Sequence, residues 1–378
     1  MSDFKAESLE LHRLNRGKLS TALSVPLENK HDLSLAYTPG VAAVCEAIAA
    51  DKTKAFSHTI KGRTIAVVSD GSAILGLGNL GPEAALPVME GKCALFKKFA
   101  GVDAFPLCLD TQDTEEIIKT IKYLAPVFGG INLEDIAAPR CFEIERRLQE
   151  ELNIPVMHDD QHGTAAVVLA ALINALKVRQ SNKEEIKVVI SGAGAAGNAI
   201  ARLLSGYGVK NIIACDRQGA IYAGRPDLDA EKSSLATLTN VEQQKGSLAD
   251  ILVGADVFIG VSSAGLVTAE MVKSMAPQPI IFALANPVPE IMPEVATAAG
   301  ALVVASGRSD FPNQINNVLI FPGVFRGALD NQVAQISDAM LAKAAEQLAS
   351  LVAKPTAAEI LPSAFDERIA SAVASAIK

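Results

Sequence analysis

The chain has 378 residues, 49% of them hydrophobic and 20% charged, no tryptophan, and a formal net charge of −8. That length allows two or three domains with ample core, and the acidic balance argues against a nucleic-acid partner, which would need a basic face. The five cysteines (Cys45, Cys93, Cys108, Cys141, Cys215) are odd in number and form no C-x-x-C pair, the pattern of reduced thiols in a cytoplasmic protein.

The first residues, "MSDFKAESLELHRLNRGKLS", are charged and hold no apolar signal segment; the spacing predicts a helical lead-in over 8–23. Pro39 in "LAYTPGVAAVCEAI" drives Thr38 toward extended backbone, and a helix is predicted from about Val41. "RTIAVVSDG" reads as a strand with a turn behind it, and "VDAFPLCLD" as a second strand. A helix capped by Thr111 or Asp113 follows. "GGINLEDI" is a strand running into two carboxylates, "PRCFEIERRLQEEL" an amphipathic helix, and "IPVMHDDQHGT" a short strand ending in a polar cluster. The longest apolar run, 165–176, is too short to span a bilayer and reads as a buried helix over 163–177; no membrane association is expected. Polar "RQSNKEE" then marks a seam. Beyond it "KVVISG", "NIIACD", "VFIGVS", "PIIFALANP" and "ALVVASG" alternate with helical stretches, the pattern of a doubly wound parallel sheet. Helices at 331–352 and 363–377 close the chain.

Two stretches carry G-x-G-x-x-G: Gly76, Gly78, Gly81 and Gly192, Gly194, Gly197. The second has the full context of a dinucleotide fingerprint. Strand "IKVVIS" leads in, a helix opens at once, and the next strand ends in Asp216, where a ribose hydroxyl would bind. NAD(P) or FAD is the expected ligand. In the first stretch an Asp-Gly turn and four more residues separate strand from Gly76, and Pro82 and Pro87 are expected to interrupt the segment after it. It reads as a tight loop near a ligand.

Lys92 lies in an otherwise apolar helical stretch, either with its head snorkelling to water or desolvated until its pKa falls far enough for base work. Glu134 and Asp135, and again Asp159 and Asp160, end apolar strands as adjacent acids. Neighbouring carboxylates repel unless a cation sits beside them. A mostly oxygen set favours Mg²⁺ or Mn²⁺, although His158 and His162 leave a transition metal open, and Asp159 or Asp160 as helix caps is the bland alternative. Asn286, after a Rossmann strand, and Asn316 and Asn317, in "NQINNVLIFPG", are carboxamides that either orient a ligand or bond loop backbone.

The segments "YTPGVA", "SDGSAILGLGNLGP", "EGKCALFKKFAG", "INLEDIAAPRCFEIE", "HDDQHGTA", "GAGAAG", "CDRQG", "ALANPVPE" and "RSDFPNQINNVLIFPG" occur in order, and through them the chain resembles the short bacterial type of malic enzyme. The resemblance implies an α/β malic-type domain over 1–161 and a Rossmann-type NAD(P)-binding domain with closing helices over 162–378. It implies oxidative decarboxylation of L-malate to pyruvate and CO₂, with reduction of NAD⁺ or NADP⁺ and dependence on Mg²⁺ or Mn²⁺, in a cytoplasmic homodimer. Carried over by position, Lys92 is the base and Tyr37 the acid, while Glu134, Asp135 and Asp160 hold the metal. Gly192, Ala193, Gly194, Ala195, Ala196, Gly197, Asp216 and Asn286 contact the dinucleotide, and Lys92, Asn286 and Asn317 the substrate. Gly78, Asn79, Asp159, Thr164 and Asn316 are secondary candidates. Longer malic enzymes carry an arginine for a malate carboxylate where this chain has Ala73. Asp216 favours NAD, while Arg217 and Arg225 leave NADP open. Rival readings are an oxaloacetate decarboxylase or malolactic-type lyase with little net redox turnover, and a nucleotide-sensing protein without catalysis.

Overall fold

The computed structural model describes residues 4–74 and 77–378. Short helices come first: α1 (Phe4–Asn15), α2 (Lys30–Ala36), α3 (Val41–Ala50) and α4 (Ala55–His58). None has a buried residue. The lead-in helix starts and stops earlier than its spacing predicts. Arg16 and Gly17 both take positive φ and turn the chain out of α1.

A four-stranded parallel sheet comes next, in the order β2-β1-β3-β4. Its strands are β1 (Thr64–Ser69), β2 (Asp103–Cys108), β3 (Gly130–Leu133) and β4 (Val156–His158). The crossover helices are α5 (Pro82–Ala100), α6 (Thr114–Leu124) and α7 (Arg140–Glu151). The prolines do not interrupt α5. Pro82 occupies the first turn, where its missing N–H costs nothing. Pro87 lies inside the helix, but the carbonyl it leaves without a donor is that of Glu83, and both residues are exposed to water. Of the two candidate caps for α6, Asp113 serves, accepting the Glu116 N–H at 2.9 Å.

The second sheet runs β10-β9-β8-β5-β6-β7. Its strands are β5 (Lys187–Ser191), β6 (Asn211–Asp216), β7 (Gly219–Ala220), β8 (Val257–Gly260), β9 (Ile280–Ala283) and β10 (Val303–Ser306). This is the doubly wound order, except that β7 is two residues long and antiparallel. Around it pack α8 (Asp159–Arg179), α9 (Ala195–Gly206), α10 (Ala230–Leu238), α11 (Leu248–Leu252), α12 (Ala269–Ser274) and α13 (Pro293–Ala298), and α14 (Phe321–Asp330), α15 (Asp338–Ser350) and α16 (Ile369–Ala374) close the chain.

Helix α8 is the centre of the molecule. Its run Ala165–Leu172 is buried, and it joins Ile65 and Val67 of β1 to Val188 and Ile190 of β5 in one continuous core. The helix begins at Asp159, before the predicted 163, because a first helical turn accommodates carboxylates. At 21 residues it is long and apolar enough to cross a membrane, yet most of it is buried within the protein, as its apolar run predicts. Phe96 of α5 meets the rings of Phe321 and Phe325 edge-on at 4.7 and 5.5 Å and pins α14 to the first sheet.

Candidate active site

Parallel neighbours β3 and β4 end side by side, with Leu133 paired to His158. The residues behind them therefore emerge at one edge, where ligands of such sheets gather. Glu134 and Asp135 come after β3, Asp159 and Asp160 after β4, and ligand oxygens of Glu134, Asp135 and Asp160 lie within 4.8 Å of one another. Asp135 takes a left-handed backbone conformation, φ 53°, and its N–H donates to Asp160 Oδ2 at 2.9 Å. Asn132 steadies Glu134 through a 2.9 Å bond to Oε2.

Lys92, on α5, is buried facing this cluster. Its Nζ lies 2.6 Å from Asp159 Oδ2 and 2.7 Å from Glu134 Oε1, with the Phe321 ring centroid at 4.3 Å. Burial opposes the charge on this ammonium, but Asp159, Glu134 and Asp160 outweigh it and hold the pKa above that of an ordinary lysine. The snorkelling alternative is excluded, and the expectation of a lowered pKa is corrected, because sequence spacing does not reveal which carboxylates fold onto the amine. Burial conversely pushes Glu134 well above the usual carboxylate range and raises Asp159, with Lys92 pulling each back. One ammonium faces four carboxylates, Glu134, Asp135, Asp159 and Asp160, a local charge of about −3 if all ionise. That excess and the all-oxygen donors fit a hard divalent cation. His162 belongs elsewhere, its Nε2 lying 3.0 Å from Glu145 Oε2. Neither Asp159 nor Asp160 caps α8, whose N-cap is His158 without a side-chain bond.

The second glycine turn faces the same cleft. Gly192 has φ 117°, and a Cβ there would stand 2.6 Å from the Val261 carbonyl oxygen; at Gly197 it would stand 1.8 Å from that of Gly192. The turn is closed by backbone contacts only glycine permits, and Gly194 caps α9 with open space around it. The first N–H groups of α9, at Ala195 and Ala196, are thus placed for a pyrophosphate, and Ala193 completes the turn.

A cleft of about 920 Å³ runs between the two regions. Lys92, Glu134, Asp135, Asp160, Thr164, Ala195, Ala196, Asn286, Asn316 and Asn317 line it. Ala73 does too, its N–H donating to the Asp135 carbonyl at 3.0 Å. Asn316 bonds loop backbone, accepting the Val318 N–H at 2.9 Å. Asp216 stands at the end of β6. Arg225 meets both of its oxygens, at 3.0 and 2.5 Å, and Lys232 donates to Oδ2 at 2.8 Å. Burial raises this carboxyl, but the two cations outweigh burial and bring it down to about 2.

Other candidates lie outside the cleft lining. Tyr37 ends α2 and is 67% exposed. Asn79 pairs with Gln112 at the surface, and Gly78, φ 87°, bridges to Ile74. Gly76 lies outside the described residues.

A malic enzyme N-terminal domain model matches residues 16–149, and a malic enzyme NAD binding domain model matches residues 161–378. The chain belongs to the malic enzyme family. The bifunctional malic/malolactic enzyme of Bacillus subtilis is 58% identical over 376 residues, 99% of this chain and 92% of that protein. The NAD-dependent malic enzyme of Geobacillus stearothermophilus is 57% identical over 363 residues, 96% of this chain and 76% of that protein. The crystal structure of NAD-dependent malic enzyme from Thermotoga maritima matches with a TM-score of 0.95 at 52% identity, over 98% of each chain.

Several groups that brace this malic enzyme site carry no signal in sequence. Arg140 donates to Asp70 Oδ2 at 2.7 and 3.1 Å, Asp70 Oδ1 receives Ser72, and Ser72 Oγ accepts the Ala137 N–H. This network ties the turn after β1 to the loop holding Asp135. Buried Glu145 accepts the His158 N–H at 2.7 Å and Gln161 Nε2 at 3.2 Å, holding the start of α8. Lys18 and His12, from the lead-in, also line the cleft. "SDGS" was legible as a turn; its partners were not.

Proposed function

We propose that this chain catalyses oxidative decarboxylation of L-malate to pyruvate and CO₂ with reduction of NAD⁺, dependent on Mg²⁺ or Mn²⁺. The observation that carries it is Lys92 held between Asp159 and Glu134 beside three converging carboxylates, in one cleft with the dinucleotide turn. Glu134, Asp135 and Asp160 hold the divalent cation, and the turn Gly192–Gly197 with Asn286 holds the dinucleotide. When bound, the cation held by Glu134, Asp135 and Asp160 would supply Lewis-acid polarisation at the C2 oxygen of the substrate, and the dinucleotide would supply the hydride acceptor. Lys92 takes the C2 hydroxyl proton at Nζ, which first requires it to shed one of its own; Asp159 Oδ2 at 2.6 Å and Glu134 Oε1 at 2.7 Å are both within reach, and Asp159, which is not assigned to the cation, is the acceptor. Asn317 orients the substrate beside Lys92. Tyr37 protonates C3 of enolpyruvate, and Thr164 shapes the pocket. NAD is preferred because the Asp216 carboxylate, kept ionised, repels a 2′-phosphate; the bound cations Arg225 and Lys232 leave NADP as the second choice.

The working form is a homodimer in the cytoplasm. Residues 4–58 contribute no buried helix residue, and Leu23, Leu35 and Tyr37 are 76%, 62% and 67% exposed, an apolar surface that calls for a partner. A second copy covers it and brings Tyr37 to a cleft. The five cysteines are free thiols, and burial pushes those of Cys93, Cys141 and Cys215 up to about 12, where they are unreactive.

The test is a steady-state assay with L-malate and Mn²⁺, comparing NAD⁺ with NADP⁺ and following pyruvate. Equal amounts of reduced dinucleotide and pyruvate are expected. Lactate without net reduction, the second activity in the name of the Bacillus subtilis relative, would replace this reading with a malolactic one.

A further inference from the structure

Behind the dinucleotide end of the cleft lies Glu290, a fully buried carboxylate that touches none of the groups assigned above. Its Oε1 accepts the Ser262 N–H at 2.9 Å, and its Oε2 accepts the Ala285 N–H at 3.0 Å. Ser262 lies just past β8 and Ala285 just past β9. Ser262 Oγ also lies 3.0 Å from Ser191 Oγ at the end of β5. One carboxylate therefore gathers the ends of three adjacent strands. Room for it is made at Gly260, where a Cβ would stand 2.4 Å from the Glu290 Cδ.

What those strand ends carry gives the arrangement its meaning. Ala285 immediately precedes Asn286, and Val261 precedes Ser262; all four line the cleft. Val261 is also the wall against which the glycine turn is built. Its N–H donates to the Ser191 carbonyl at 2.9 Å, and its carbonyl oxygen and Cγ2 are the nearest obstacles at Gly192. A shift of the Ser262 backbone thus moves Val261 and with it the phosphate-binding turn, while a shift of Ala285 moves Asn286.

We propose that Glu290 is a positioning residue for hydride transfer, fixing the loops after β8 and β9 as the wall against which the nicotinamide ring is set. This rests on the oxidative reading of the site. A carboxylate is required because it accepts from two N–H groups at once. The carboxamide of Glu290→Gln offers one oxygen and sets its own N–H₂ against the other donor, so one loop must move. Misplacement by about 1 Å is enough to cost roughly 100-fold in a reaction that needs aligned partners.

The experiment compares wild type with Glu290→Gln, and with Glu290→Asp, which keeps a buried carboxylate if the first variant does not fold. With L-malate, Mn²⁺ and saturating dinucleotide, kcat for nicotinamide reduction should fall about 10- to 100-fold, and the primary isotope effect with L-[2-²H]malate should rise. The KM for malate should change by less than about threefold, and metal-dependent decarboxylation of added oxaloacetate, which involves no hydride, should hold within about twofold. A lower melting temperature with unchanged isotope effect and kcat would overturn the proposal and leave Glu290 a purely structural group. Absence of nicotinamide reduction by wild type would overturn both this inference and the oxidative reading, and it is seen before any variant is made.

Discussion

Lys92 shows how a buried residue can stay charged when it is paired. Its ammonium is retained by the carboxylates it touches, so removing it affects more than proton transfer. In Lys92→Met, malate oxidation should fall about 10²- to 10⁴-fold, as for loss of a positioned base, with affinity for reduced dinucleotide unchanged in a fluorescence titration. The variant also leaves Asp159 and Glu134 buried without their counter-charge. Its melting temperature should therefore rise more on adding Mg²⁺ than that of wild type. Equal thermal shifts would mean that the cation does not bind beside those acids. Asp216 offers a pH test at a separate place. Its carboxyl is held down to about 2 in the folded chain against about 3.9 when unfolded, worth about 2.6 kcal/mol. That stability is complete above about pH 5 and is lost as the pH falls through about 2. Asp216→Asn should lower the unfolding free energy by this amount at pH 7, with the difference from wild type shrinking as solutions are acidified below about pH 5.

At the scale of elements, the glycine turn and α9 are one unit. A methyl at Gly197 would meet the Gly192 carbonyl oxygen at 1.8 Å, whereas one at Gly206, at the other end of α9, meets nothing within 4 Å. Gly197→Ala should weaken dinucleotide binding more than tenfold and destabilise by roughly 1–3 kcal/mol. Gly206→Ala should bind normally and gain up to about 1 kcal/mol from helix propensity. Titration with reduced dinucleotide and urea unfolding separate the two. This turn was legible because its chemistry is local: a strand, three glycines and a helix, contiguous in the chain. The carboxylate cluster was legible in part, since adjacent acids after apolar strands demand an explanation. The continuity of α5 was not legible because two prolines read as breakers, although one lies in the first turn and the other sacrifices a carbonyl that faces water. Glu290 and the Arg140–Asp70 pair were invisible for another reason. Their partners are brought together by strand order, and nothing in "ALANPVPE" or "SDGS" says which backbone N–H or guanidinium will arrive.

In the whole molecule, the N-terminal arm and the core behave differently. The arm exposes Leu23 and Leu35 while the sheets are closed around α8. Wild type should sediment as a dimer, and the double variant Leu23→Asp/Leu35→Asp as a monomer that binds dinucleotide but makes pyruvate poorly, since Tyr37 has lost its cleft. A wild-type monomer with full activity would sink this assignment. Helix α8 carries a further consequence. Its first turn presents Asp160, its middle is embedded in the core, and its flank supports α9. The 161/162 division that the resemblance implies falls inside that first turn, so Asp160 and the flank that supports α9 belong to one helix. An unbroken helix acts as a strut. The spacing between the carboxylate cluster and α9 is thus built on one continuous element.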